Sequence, residues 1–150
     1  MCMKLSLNTW RPTMFKLDPR LEQDTLSLGK FALCEVLLMN DARYPWIILV
    51  PQHADITEVY HLSDADQQQL TIESNFVSQQ LANSVNADKM NVAALGNVVS
   101  QLHIHHVARF KTDETWPAPI WGKGDAIAYT SEEIQAFSNY IKSCLAEMLV

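Results

Sequence analysis

Two histidines separated by one apolar residue stand at the centre of residues 101–107, which read Gln-Leu-His-Ile-His-His-Val. In an extended strand successive side chains point to opposite sides, so Gln101, His103 and His105 share one face while Leu102 and Ile104 turn the other way into a core. At a rise of about 3.3 Å per residue the two imidazoles stand roughly 6.5–7 Å apart, which leaves room for a phosphate or a metal ion between the rings. A neutral imidazole titrates near a pKa of about 6.5 and keeps a lone pair at neutral pH, so it can attack phosphorus directly. Attack by His103 on the α-phosphorus of a nucleotide would expel the leaving group and give a nucleotidyl-histidine, from which water would release the monophosphate. Phosphoryl transfer depends mainly on position and charge stabilisation, and His105, facing the same way, is the group to hold the phosphate oxygens.

The elements that must position this stretch are legible on either side of it. Glu35–Met39, preceded by Phe31-Ala-Leu-Cys, reads as a strand stopping at Asn40-Asp41, and Trp46–Val50 reads as a buried strand ended by Pro51. These two pair, with Asn40–Tyr44 as their connection. Ser63-Asp64-Ala65-Asp66 resembles a capping box, and Leu70, Val77, Leu81 and Val85, with Phe76 beside them, predict a helix over about 64–86. Met90–Ala94 returns to strand character, and Gly96–Ser100 provides the turn of a hairpin into the histidine strand. Trp116–Gly124 is irregular by its prolines and glycines, and Thr130-x-x-Glu133 caps a last amphipathic helix using Ile134, Phe137, Ile141 and Leu145. The fold class is α+β, with one domain expected over residues 1–150.

Composition narrows the partners. Eleven Lys and Arg against 17 Asp and Glu give a formal charge of −6, which argues against a duplex or a long RNA but not against one nucleotide. Cys2, Cys34 and Cys144 are odd in number and widely spaced, so no disulfide framework or zinc ribbon is suggested and a reducing cytoplasm is the expected setting. Met1–Met14 lacks the apolar run of a signal peptide, and no stretch approaches the roughly 18 apolar residues that span a membrane. Met14 is a candidate alternative start, which would leave residues 1–13 as a flexible extension.

With these elements in order, the sequence resembles the histidine triad (HIT) superfamily of nucleotide hydrolases and transferases. The family motif His-φ-His-φ-His-φ-φ, with φ apolar, stands here as Gln101-Leu102-His103-Ile104-His105-His106-Val107, inside a resemblance that covers about residues 30–110. The tryptophan-proline segment looks like a bacterial branch of that family. The resemblance implies an antiparallel sheet with a long helix and a C-terminal helix, and a two-fold homodimer. It assigns His103 as nucleophile and His105 as phosphate contact, with no cofactor required and magnesium admissible on the substrate. The substrate class it implies is a dinucleoside polyphosphate, as in diadenosine tetraphosphate hydrolases, or a nucleoside phosphoramidate.

The chain departs from the motif twice. Gln101 replaces the first histidine and can exchange hydrogen bonds but cannot ionise near neutral pH, so it is expected to orient its neighbours. His106 takes a normally apolar position; it is either a ligand contact or a core or interface histidine, and the second reading is favoured because buried polar groups find partners. Asn97 and Ser100 are candidates for the leaving phosphate, Asn40 or Asp41 for a ribose hydroxyl, and Asn91 for a further substrate contact, each against the plain alternative of turn chemistry. Trp116 and Trp121 either cover a base or pack a loop onto the body, and Arg109 is an ion-pair partner or a phosphate contact. His53 and His61 read as surface residues. Two rival functions stay open: a metal site, because His-x-His chelates zinc or iron, and a nucleotide-binding regulator without turnover.

Overall fold

The computed structural model describes residues 14–150. Its elements run α1 (Pro19–Asp24), β1 (Thr25–Lys30), β2 (Cys34–Met39), β3 (Trp46–Pro51), α2 (Asp64–Val85), β4 (Lys89–Ala93), β5 (Ile104–Arg109) and α3 (Ser131–Leu145). The strands form one antiparallel sheet in the order β1-β2-β3-β5-β4. This is the α+β architecture expected. The structure adds α1 and β1 ahead of the first expected strand, and a single 3-10 turn at Val59–His61.

β3 lies at the centre of the sheet between β2 and β5, and all six of its residues are buried. On one face Val36, Leu38, Ile47, Leu49, Ile104 and Ala108 meet Leu70, Val77 and Leu81 of α2 and Ile141 and Leu145 of α3. Each of these helix side chains contributes roughly 1.5–3 kcal/mol by leaving water. Ser63 caps α2 by accepting from the Asp66 amide, and a left-handed Asn86 closes it. Thr130 and Glu133 form the capping box of α3.

The opposite face carries Leu37, Trp46, Ile48, Val50 and Val107, packed with Leu21, Tyr44 and Ile120. Among the described residues no helix lies flat on it. It is covered at its margins by α1 and by the irregular segment after β5, so part of the sheet remains open as a cleft.

The histidine segment differs from expectation at its start. Ladder pairing begins at Ile104, opposite Leu49, because the Leu102 amide bonds to the carbonyl of Ile56 outside the sheet. Alternation nevertheless persists through Gln101–His103: Leu102 packs with the helix-side core while His103 lines the cleft. Residues 1–13, with Cys2 and the expected extension, lie outside the described residues.

Candidate active site

β5 and the residues just before it bring His103 and His105 together on the open face, with ring centroids 4.8 Å apart and planes at 75°. Each ring has one nitrogen tied to a partner of fixed polarity, and this determines where its proton sits. His103 Nδ1 lies 2.7 Å from the backbone carbonyl of Gln101. A carbonyl only accepts, so Nδ1 carries the proton and the lone pair is left on Nε2. Trp46 Nε1 stands 3.0 Å from His105 Nδ1, and an indole N–H only donates. The neutral His105 ring therefore carries its proton on Nε2. Two adjacent imidazoles thus adopt complementary tautomers, one with a free lone pair and one with a free donor.

His105 is also held uncharged. Burial, with the neighbouring His103 and His106 adding to it, pushes its pKa down to about 3. Trp46 tilts over the ring at a centroid distance of 5.5 Å, and Trp121 meets it edge-on at 5.5 Å. The antiparallel register explains the first contact: Ile48 lies opposite His105, so Trp46, two positions earlier in β3, shares its face.

These rings form the floor of a cleft of about 330 Å³. Leu95–Val99, from the β4–β5 connection, form one wall, and Arg20, Leu21 and Asp24 of α1 form another. Trp121 closes the side beyond His105. The lining is mostly apolar with a few convergent polar groups, the usual character of a small-molecule site. Among the described residues no group of three or more His, Cys, Asp and Glu side chains could hold a metal ion.

The expected substrate contacts separate cleanly. Asn97 lines the cleft with the two histidines, whereas Ser100 is not part of its lining. Asn40 and Asp41 do not reach it, because their side chains secure a loop: Asn40 accepts from the Tyr129 amide, and buried Asp41 accepts from Arg43 and from the Ile127 amide. Asn91 accepts from Arg109 Nη1 at 2.8 Å and is likewise structural.

Arg109, the last residue of β5, is buried and resolves as an ion-pair partner. It binds both oxygens of Asp113 at 2.8 and 2.9 Å, reaches Thr115, and faces the Trp116 ring at 5.7 Å. Trp116 packs on this node, whereas Trp121 lines the cleft. His53 and His61 are exposed, His53 bonding to Asp66 and His61 lying near Thr57.

The two motif departures take different paths. His106 points into the helix-side core, with Nε2 2.7 Å from the Ser74 hydroxyl of α2, and burial lowers its pKa to about 4. Gln101 was expected to orient the His103 ring through its amide. Its backbone carbonyl does that instead, while the amide bonds to the Asp18 amide and the Lys16 carbonyl.

Sequence reasoning passed over Arg20, Leu21, Asp24 and Trp46 as site residues. A signal for α1 was present: Asp18-Pro19 is an N-cap followed by proline at the first helical position, and Thr25-Leu-Ser-Leu28 alternates as a strand does. Trp46 became visible only through the pairing of β3 with β5.

Comparison with known proteins places these features in context. The HIT domain family matches residues 20–112. A histidine triad protein from Sinorhizobium meliloti is 48% identical with a TM-score of 0.85, covering 87% of this chain and 97% of its own. A histidine triad protein from Marinobacter aquaeolei is 45% identical with a TM-score of 0.89, covering 91% and 99%. At 17% identity, a diadenosine triphosphate hydrolase of Plasmodium falciparum shares the fold with a TM-score of 0.62, covering 96% of this chain and 88% of its own. No match was found among curated proteins.

Proposed function

The chain belongs to the HIT domain family, and on that premise we propose that it is a nucleotide hydrolase or nucleotidyl transferase working through a nucleotidyl-His103 intermediate. The observation that carries the reading is the pair of opposite tautomers: His103 with its lone pair on Nε2, and His105 with a donor on Nε2. His103 Nε2 attacks the α-phosphorus, forming a P–N bond as the bond to the leaving phosphate breaks and its electron pair departs with that group. The Nδ1–H of His103 remains on the Gln101 carbonyl, which stabilises the ring as it becomes cationic. His105 donates to a phosphate oxygen, and its depressed pKa keeps it a neutral donor throughout the physiological range. Water then attacks phosphorus, the P–N bond returns its electron pair to His103, and the nucleoside monophosphate leaves.

The substrate classes favoured are dinucleoside polyphosphates and nucleoside phosphoramidates, with the nucleoside resting against the apolar cleft and Asn97 near the phosphates. Magnesium, where it takes part, travels on the substrate. A homodimer fits the sheet, because β4 is an edge strand and exposes Val92. Light scattering on the purified protein measures that state, with a monomer at micromolar concentration opposing it. Cys34 and Cys144 are free thiols, which suits a cytoplasmic protein, and no helix among the described residues is long and apolar enough to cross a membrane.

The deciding experiment incubates the protein with diadenosine tetraphosphate and adenosine phosphoramidate labelled at the α-phosphorus, then quenches in alkali. Labelled His103 and released monophosphate are expected, and chelators should leave the rate little changed. Tight nucleotide binding without label or product would instead favour a regulator, and stoichiometric zinc on His103 and His105 a metal site.

A further inference from the structure

A side-chain amide carries a donor and an acceptor in one rigid plane, so it can pair with a passing backbone as another peptide would. Gln101 does this: Oε1 accepts from the Asp18 amide and Nε2 donates to the Lys16 carbonyl, both at 2.9 Å. Histidine, the residue expected here, cannot reproduce that pairing with the same spacing.

The backbone so gripped leads into α1. Asp18 is its N-cap, accepting from the Arg20 amide at 2.8 Å, and Pro19 opens its first turn. With only six residues α1 is too short to be stable alone. Leu21 is its one buried residue, and the Asp24 carbonyl, accepting from the Asn40 amide, ties its far end to the sheet. Its near end is gripped by Gln101.

Since α1 supplies Arg20, Leu21 and Asp24 to the cleft, we infer that Gln101 is a positioning residue whose amide latches this wall and thereby sets nucleotide affinity, not the chemical step. The inference deepens the nucleotide reading and rests on it for the identity of the ligand. One residue thus serves two ends of the site: its backbone carbonyl orients the His103 ring, and its side chain holds the wall that meets the unreactive part of the substrate. The backbone role survives any substitution, which makes the side-chain role separable.

Two full-length variants test it: Gln101→Leu removes the amide, and Gln101→Glu keeps the acceptor for Asp18 while losing the donor for Lys16. With diadenosine tetraphosphate, Gln101→Leu should raise KM about tenfold and leave kcat within about twofold, and Gln101→Glu should fall between it and the parent. Without any nucleotide, tryptic cleavage after Lys16 and Arg20 should quicken by about tenfold in Gln101→Leu while the melting transition stays cooperative. A fall in kcat at unchanged KM would overturn the inference, as would cleavage at the parent's rate. Should the parent turn over no nucleotide, the functional reading fails, yet the cleavage rates still decide for or against the latch. If Gln101→Leu does not fold, Gln101→Glu carries both measurements.

Discussion

His105 and His106 are neighbours on one strand, both buried and both with pKa values depressed by burial, to about 3 and about 4. Neither burial nor acidity tells them apart. The difference lies in what meets each ring: α2 offers His106 the Ser74 hydroxyl, while His105 meets Trp46, Trp121, His103 and a cleft. In this sheet a depressed pKa alone does not single out a site histidine, because α2 gives His106 a packing partner while His105 borders the cleft.

The comparison breaks most sharply at the proposed nucleophile. His103→Ala should cut turnover by at least about a thousandfold and abolish the nucleotidyl adduct, with little change in urea midpoint. Retained turnover would show that the open face is not the reacting one.

Next in size is acid sensitivity, where both histidines should behave alike despite their different faces. Each binds its proton less readily folded than unfolded, so the folded state holds fewer protons between the two values and stability rises with pH there. That stability is complete above about pH 6.5 and is lost on acidification, by roughly 2 kcal/mol for each histidine at pH 5, or roughly 4 kcal/mol together. Asp113, held down to about 2 by the Arg109 guanidinium, also favours the folded state, but its contribution disappears only below about pH 4. Urea titrations at pH 7 and 5 measure the histidine window, and a flat profile would contradict it.

His106→Ala should then separate the faces again. Expected is a loss of about 2–3 kcal/mol in stability from the cavity and the abandoned Ser74 hydroxyl, with kcat within about twofold of the parent. A large kcat loss in protein that is folded at the assay temperature would make the helix-covered histidine part of the site.

Smallest is Trp46→Phe, which keeps an aromatic ring but removes the donor that fixes the His105 tautomer. A drop of about tenfold in kcat, near 1.4 kcal/mol, with KM preserved is the expected signature, and an unchanged kcat would deny Trp46 that role.

Much of the fold could be read from local signals because N-caps open both α2 and α3, α3 is strongly amphipathic, and β3 is an uninterrupted apolar run bounded by Pro51. His103 and His105 were legible for the same reason, since alternation is a local property. The polar candidates fared differently. Asn40, Asp41 and Asn91 have the composition of ligand contacts, but each meets a partner far away in sequence, Tyr129, Ile127 and Arg109, and only the packed chain reveals that their hydrogen bonds are already made. The amide of Gln101 belongs with them: its partners lie 83 and 85 residues upstream.

The buried Arg109 has a consequence for how the cleft admits its occupant. The guanidinium fastens the segment from Asp113 to Trp116 onto the end of β5, and the chain then runs on to Trp121 beside His105. One jaw of the cleft is thereby riveted to the stretch that bears His103 and His105. The opposite jaw is a helix of six residues held by the Gln101 amide at its start, by buried Leu21 and by the Asp24 carbonyl at its end, so the two sides of the entrance are fastened by different means.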